Sequence, residues 1–182
     1  MKIRTKYKIP GSGLRPGGER GSQLLEMALA LPFLMVFVVG LADFGSAYNV
    51  KQKLSNAARE GARFGISATI LDLGDTHPAS MSAIRNTVVN YLTNAGLTAC
   101  NFSGNPSSGA TYTVSPNANC VLKIERTNST VVSGGTTLVA TQVTVTYPVT
   151  WTFNKVIGFL KPGANPTLPG SLTSVALMEN IP

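Results

Sequence analysis

The apolar positions near the start of the chain form one continuous stretch, Leu24 to Ala42, with a single charged side chain, Glu26. As an α-helix, these 19 residues would be about 28 Å long, close to the thickness of the hydrocarbon core of a bilayer. Apolar side chains lie on every face, so the stretch lacks the polar stripe of a helix on a globular surface. Pro32 is tolerated in membrane helices. The pattern predicts a transmembrane helix over residues 22–42.

The helical pattern continues over residues 43–72, where it becomes amphipathic. Apolar or small residues recur there at spacings of three and four: Ala47, Val50, Leu54, Ala57, Gly61 and Phe64. Ala57, Gly61 and Gly65 form a face of small residues that would let another backbone approach closely. The alternative interpretation is that these glycines end the helix. The sequence predicts one helix from Leu24 to about Ile70.

The remainder of the chain, residues 73–182, has the pattern of a small α+β domain. Apolar residues repeat at helical spacing from Met81 to Ala95, and Gly96 is placed to end this second helix. Strand patterns follow over residues 111–115, 121–126 and 138–153, and Ser133-Gly134-Gly135 predicts a hairpin turn. We therefore expect a helix that packs on an antiparallel sheet.

An apolar cluster near the end of the chain has two interpretations. Its members are Trp151, Phe153, Val156, Ile157, Phe159 and Leu160. The favoured interpretation is a core strand followed by a short covering turn. The other is a surface that docks on the membrane or on a neighbouring subunit, since exposed apolar patches mark contacts.

The net charge of +7 is distributed unevenly along the 182 residues. Residues 1–21 hold six basic residues and one acidic residue, a net +5, whereas the rest holds nine basic and seven acidic residues, a net +2. Basic residues flank the cytoplasmic side of membrane helices, so we expect a cytoplasmic N-terminus and an extracytoplasmic outer domain. Nucleic-acid binding needs basic residues clustered on the folded domain, and we expect no nucleic-acid partner.

The few residues with reactive side chains indicate a structural protein. Cys100 and Cys120 would lie on the oxidising side of the membrane, and a disulfide is favoured over free or intermolecular thiols. One histidine, two cysteines and eight carboxylates offer no metal set or nucleophile–base pair. We expect no enzyme activity, no cofactor, no metal and no small-molecule substrate.

Gly21 and Glu26 define a further motif at the start of the apolar stretch. Glu26 lies near the cytoplasmic end of the span, where a carboxylate is costly unless it reaches the headgroups or a cation. A new α-amino group at Ser22, one helical turn away on this chain or on a neighbour, would supply that cation. The basic segment, Gly21, residues 22–26 (SQLLE) and the apolar helix together resemble a type IV pilin-class signal.

The segments RGSQLLEMALALPFL, LADFG and NAAREGARFG, with the closing LTSVALMEN, are similar to TadE-like minor pseudopilins of the tight-adherence (Tad/Flp) type IV pilus system. The resemblance implies a pilin-like outer domain in a bacterial inner-membrane protein, and cleavage between Gly21 and Ser22 by a prepilin peptidase. It further implies that Glu26 pairs with the N-terminal amine of an adjacent subunit. The implied partners are other pilins or pseudopilins and Tad assembly proteins.

Two other fates of the chain fit the same pattern. One is an uncleaved, membrane-anchored accessory protein that scaffolds a secretion or pilus complex. The other is a secreted domain released by signal peptidase after Ala47, although the apolar stretch is longer than the apolar region of a signal peptide. The position of the mature N-terminus distinguishes the three.

Overall fold

The computed structural model of the protein describes residues 18–106, 109–129, 138–161, 163 and 168–179. Three helices and four strands lie within them: α1 Gly18–Ser67, α2 Ala79–Asn94, β1 Thr111–Asn117, β2 Cys120–Ser129, β3 Leu138–Pro148, α3 Phe153–Leu160 and β4 Ser171–Glu179. The internal contacts divide the chain into two units, Met1–Val38 and Val39–Pro182. Most of the basic leader and the predicted turn at Ser133–Gly135 lie outside the described residues.

Helix α1 changes character along its length, as its sequence predicts. Residues 21–35 are exposed on every side, and Pro32 lies inside the helix without ending it. Beyond residue 46, the apolar stripe is buried on one side, with Leu54, Ala57 and Ala62 fully inaccessible. The helix ends at Ser67, three residues before the predicted end.

The sheet is antiparallel, with the strand order β1-β2-β3-β4. Its register places Tyr112 opposite Ile124, Ile124 opposite Val143, and Val143 opposite Ala176. All four side chains are buried, because residues directly opposite each other on neighbouring strands lie on the same face of the sheet. One face of the sheet therefore carries the apolar core.

Helices α1 and α2 share a core with this buried face of the sheet. The α2 residues Met81, Ile84, Val88 and Leu92 are buried at helical spacing and belong to the same apolar cluster as Leu54 and the strand residues. This arrangement confirms the predicted α+β class: a long apolar N-terminal helix, a second helix and an antiparallel sheet.

The disulfide between Cys100 and Cys120 joins the segment after α2 to the first residue of β2, with 5.6 Å between the two Cα atoms. Both cysteines are buried in the core cluster. Closing a loop of this size restricts the unfolded chain and stabilises the fold by about 3 kcal/mol in the chain-entropy model.

The C-terminal third differs from the prediction in three places. Strand β3 ends at Pro148, not at Phe153, and proline cannot donate to a continuing ladder. The predicted turn after Phe153 is helix α3, whose residues 153, 156, 157 and 160 have the spacing of one helix face. Strand β4, which the sequence analysis did not predict, forms the second edge of the sheet.

Candidate functional site

The motif at the start of the apolar stretch lies on the accessible surface of α1. Gly21, Ser22 and Glu26 are all exposed, and so are Leu24 and Leu25 between them. Residues four apart in an α-helix lie on the same face, about 6 Å apart along the axis. Ser22 and Glu26 therefore share a face, and an amine at residue 22 would lie one turn from the carboxylate.

The apolar stretch is the one helical segment of the described residues that is long and apolar enough to cross a membrane. None of its most apolar window is buried within the protein. Large apolar side chains such as Phe33 and Phe37 are therefore accessible to another apolar phase or to another protein. This agrees with a membrane anchor near the N-terminus.

Asp43, directly after the apolar stretch, caps helix α3. Its carboxylate oxygen Oδ2 accepts a hydrogen bond of 2.6 Å from the backbone N–H of Phe153, the first residue of that helix. A carboxylate at a helix N-terminus accepts a hydrogen bond from an otherwise unpaired N–H and interacts favourably with the positive end of the helix dipole. Asp43 is half-buried, and this hydrogen bond links α3 to α1.

The small-residue face of α1 packs against other elements of the same domain. A Cβ atom added to Gly61 would overlap Val88 of α2, and one added to Gly65 would overlap Thr141 of β3. Ala57 is fully buried in the same core. These residues allow α2 and β3 to approach α1 closely, and α1 continues to Ser67 beyond both glycines.

Arg126 is a residue that the sequence analysis did not single out. It lies on β2 with only 2% of its surface exposed, and its guanidinium donates to the carbonyl oxygens of Gly65, Ala68 and Thr69 at 2.9, 2.9 and 2.5 Å. The last carbonyls of a helix have no donors within that helix. A positive charge near the C-terminal end of a helix also interacts favourably with the negative end of the helix dipole. Arg126 therefore caps the C-terminal end of α1.

Ser80 and Asp72 extend this cap. Arg126 donates to Ser80 Oγ at 3.0 Å, and the Asp72 carboxylate accepts hydrogen bonds of 2.7 and 2.8 Å from the N–H and the hydroxyl of Ser80. Desolvation raises the pKa of Asp72, but the Ser80 hydrogen bonds and the Arg126 charge outweigh it, and the net pKa lies below its ordinary value. Burial lowers the pKa of Arg126, and Asp72 opposes that shift. The network fixes the turn between α1 and α2.

The alternation of apolar and charged residues along β2 could have indicated that Arg126 is buried. Leu122, Ile124 and Arg126 alternate with Lys123 and Glu125, and alternate residues share a face of the sheet. Leu122 and Ile124 are buried, so the side chain of Arg126 must lie on the same buried face of the sheet. A basic residue in such a position needs several acceptors, and the helix end supplies them.

Within the residues that the structure describes, no group of three or more His, Cys, Asp or Glu side chains could hold a metal ion. An open groove of about 450 Å³ lies beside α1. It is lined by Phe44, Ala47, Tyr48, Lys51, Trp151, Pro169 and Leu172. The lining is mostly apolar and carries one charged side chain, Lys51.

A family model described as TadE-like protein matches residues 21–63. The match confirms the resemblance predicted from the sequence, and it is consistent with a TadE-like protein of the Tad pilus system. It covers the motif at Gly21 and Glu26, the apolar stretch and most of the amphipathic part of α1, whereas the sheet lies beyond it. No curated protein and no solved structure matches the chain.

Proposed function

From the TadE-like match over residues 21–63, we propose that the protein is a minor pseudopilin that takes part in building a Tad pilus. The apolar part of α1 anchors it in the bacterial inner membrane, and a prepilin peptidase cuts between Gly21 and Ser22. Its proposed role is structural, in contact with other pilins or pseudopilins and with Tad assembly proteins. One observation carries the proposal: Gly21 and Glu26 are exposed at one end of an apolar helix whose other end is buried in an α+β domain.

The proposed orientation rests on the charge of the leader. Residues 1–21 carry a net charge of +5 directly before the apolar stretch. A basic flank stays in the cytoplasm during insertion, which sends the domain that follows α1 to the other side of the membrane. The same orientation leaves the Gly21–Ser22 bond near the cytoplasmic face.

The first turn of α1 is well suited to cleavage. Gly18 and Gly21 both lie in it, and glycine has the lowest helix propensity of any residue except proline. In the part of the chain that the structure describes, no heavy atom outside the adjoining backbone of the helix lies within 4 Å of a Cβ added to Gly21. A protease can therefore unwind this turn and reach the bond without disturbing the rest of the domain.

Cleavage supplies the partner that Glu26 needs. The described part of the chain offers Glu26 no ion-pair partner, and an unpaired carboxylate in an apolar medium is costly. The new ammonium group at Ser22 of an adjacent subunit can neutralise it. Since each subunit carries one such amine and one such carboxylate, the pairing would set the axial offset between neighbouring helices.

The mature N-terminus tests the proposal. The full chain should be purified from membranes of cells that contain the prepilin peptidase, and its N-terminus should be determined by sequencing and intact mass. We expect the chain to begin at Ser22. Gly21→Leu should block cleavage, whereas Gly18→Leu, a matched change three residues earlier, should leave it intact.

Other N-termini would contradict the proposal in recognisable ways. A chain that begins at Met1 would indicate the uncleaved accessory protein. A chain that begins at Tyr48 would indicate a domain released by signal peptidase. Normal processing of the Gly21→Leu variant would exclude the proposed recognition site.

A further inference from the structure

Helix α3 and the preceding Trp151 lie beside the end of the apolar stretch of α1. The first residue of α3, Phe153, donates its N–H to Asp43, and its ring lies 3.8 Å from a Cβ added to Gly40. Trp151 packs edge-to-face on Phe44, with 5.7 Å between ring centroids. Since the apolar stretch ends at Ala42, α3 is positioned where the helix would leave the hydrocarbon.

The side chains of this region have the composition of a membrane interface. Phe44 and Tyr48 are 64% and 66% exposed, and Trp151, Val156 and Ile157 are half-exposed. We call these five residues the interfacial patch. Tryptophan and tyrosine are enriched at the boundary between hydrocarbon and water, because one side of each ring system is apolar and the other can be hydrated.

The apolar groove described above opens on the same patch. Phe44, Tyr48 and Trp151 all line it. The indole N–H of Trp151 already donates to the carbonyl oxygen of Pro169 at 2.8 Å. The ring can therefore enter an apolar phase without leaving an unpaired donor behind. The groove offers an apolar surface large enough to contact an acyl chain.

Three exposed basic side chains belong to the segments that carry the patch. Lys51, Lys155 and Lys161 are exposed, on α1, on α3 and directly after α3. Basic residues close to a bilayer surface are attracted to anionic headgroups. A lipid surface therefore satisfies both the apolar side chains and the charges, whereas a second copy of this patch would bring like charges together.

We propose that the interfacial patch docks on the lipid bilayer, so that α3 lies in the headgroup region beside the membrane-spanning part of α1. This inference rests on the membrane anchoring in the proposed function but not on cleavage after Gly21. Docking at this position would hold the outer domain against the membrane and limit its tilt relative to the bilayer surface.

The natural sequence contains a built-in probe, since Trp151 is the only tryptophan. The full chain should be placed in nanodiscs of phosphatidylcholine and phosphatidylglycerol, at one copy per disc. Two quenchers report the position of the indole: lipids brominated near the headgroup and iodide in the water. We expect brominated lipid to remove roughly half of the Trp151 emission and iodide to have little effect, as for a residue of an aromatic belt.

Two relocated tryptophans serve as controls in a Trp151→Phe background. Phe37→Trp lies inside the apolar stretch and should be quenched by brominated lipid if α1 spans the disc. Leu71→Trp lies in the turn after α1, at a residue that is 91% exposed, and should be quenched by iodide alone. Together they separate insertion of the helix from docking of the patch.

Each result decides between lipid docking and another arrangement. Quenching of Trp151 by iodide and not by lipid, with Phe37→Trp quenched by lipid, would overturn the docking and leave the anchor intact. If Trp151 were protected from iodide only in discs that hold two copies of the chain, lipid docking would also be overturned. That result would indicate contact between subunits. Iodide quenching of Phe37→Trp would instead contradict the anchoring itself.

Discussion

The guanidinium of Arg126 on β2 donates a hydrogen bond of 2.9 Å to the carbonyl oxygen of Gly65 in the last turn of α1, 61 residues earlier in the chain. The same group reaches the carbonyl oxygens of Ala68 and Thr69. One buried side chain therefore satisfies the end of the long helix and ties that end to the sheet.

Replacing the arginine should destabilise the outer domain. Arg126→Met would fill a similar volume but would leave the carbonyl oxygens of Ala68 and Thr69 without a donor. The Ser80 hydroxyl would lose the hydrogen bond from Arg126, and the Gly65 oxygen would keep only the N–H of Ala68 at 3.3 Å. We expect the free energy of unfolding to fall by about 3 kcal/mol, because unsatisfied buried polar groups carry most of their desolvation cost. The measurement is chemical denaturation of the full chain in detergent micelles, followed by Trp151 emission.

Arg63→Met is the matched control, since Arg63 lies on the exposed side of α1, the helix that Arg126 caps. It should change the free energy of unfolding by no more than about 0.5 kcal/mol. Equal effects of the two substitutions would show that the hydrogen bonds of Arg126 contribute nothing specific.

Asp72 should make the stability of the domain depend on acidic pH. Its pKa is lower in the folded chain than its ordinary value, through Ser80 and Arg126. A carboxyl with a depressed folded pKa stabilises the fold above its unfolded pKa of about 3.9, and this contribution is lost as the pH falls through the folded pKa. Unfolding of the wild-type chain at a series of pH values should therefore show a loss below about pH 4.

The variant Asp72→Asn isolates this contribution. It should be less stable than the wild type at neutral pH and should converge with it at the acid end of the series. Asp75→Asn, three residues away and exposed, should follow the wild-type curve. A constant difference between wild type and Asp72→Asn at all pH values would show that the carboxylate charge is not responsible.

Periodicity along the sequence was sufficient to predict the main helices and the central strands. The apolar stripe from Ala47 to Gly61 indicates which face of α1 is buried. The alternation of apolar and polar residues along β3 indicates the same for that strand. The motif of Gly21 and Glu26 was also visible, because the pairing proposed for it depends on spacing within one helix. These features depend on residues that are close together in the chain, so they can be recognised from one sequence.

Features that depend on tertiary contact were missed. Helix α3 has only eight residues, and its apolar face was also compatible with a strand and turn. Arg126 looked like an ordinary strand residue because its acceptors lie at the end of α1, 57 to 61 residues earlier. The capping role of Asp43 was equally hidden, since its donor is 110 residues away.

The close packing of α1 predicts that a single methyl group at Gly61 is harmful. A Cβ at this position would overlap Val88 of α2, which is fully buried. Alanine favours a helix by about 1 kcal/mol over glycine, but overpacking a tight core costs about 1–3 kcal/mol. We expect Gly61→Ala to lower the free energy of unfolding by about 1 kcal/mol in the same micelle assay.

Gly45 provides the matched control on the same helix. Among the described residues, no heavy atom outside the adjoining helix backbone lies within 4 Å of its added Cβ, so Gly45→Ala should retain only the gain in helix propensity. We expect no loss of stability from this change. If Gly61→Ala were as stable as Gly45→Ala, α1 and α2 would be packed more loosely than the structure shows.

Glu26 should be required for assembly but not for folding or insertion. Glu26→Ala removes the carboxylate that is proposed to pair with the new amine of a neighbour, so we expect at least about a tenfold loss of piliation in cells that build the pilus. Cleavage at Ser22, membrane insertion and the denaturation of the outer domain should stay as in the wild type, because Glu26 contributes nothing to the core. Glu60→Ala, an exposed acidic residue of the same helix, should leave piliation unchanged. Wild-type piliation by Glu26→Ala would remove the charge pair from the mechanism of assembly.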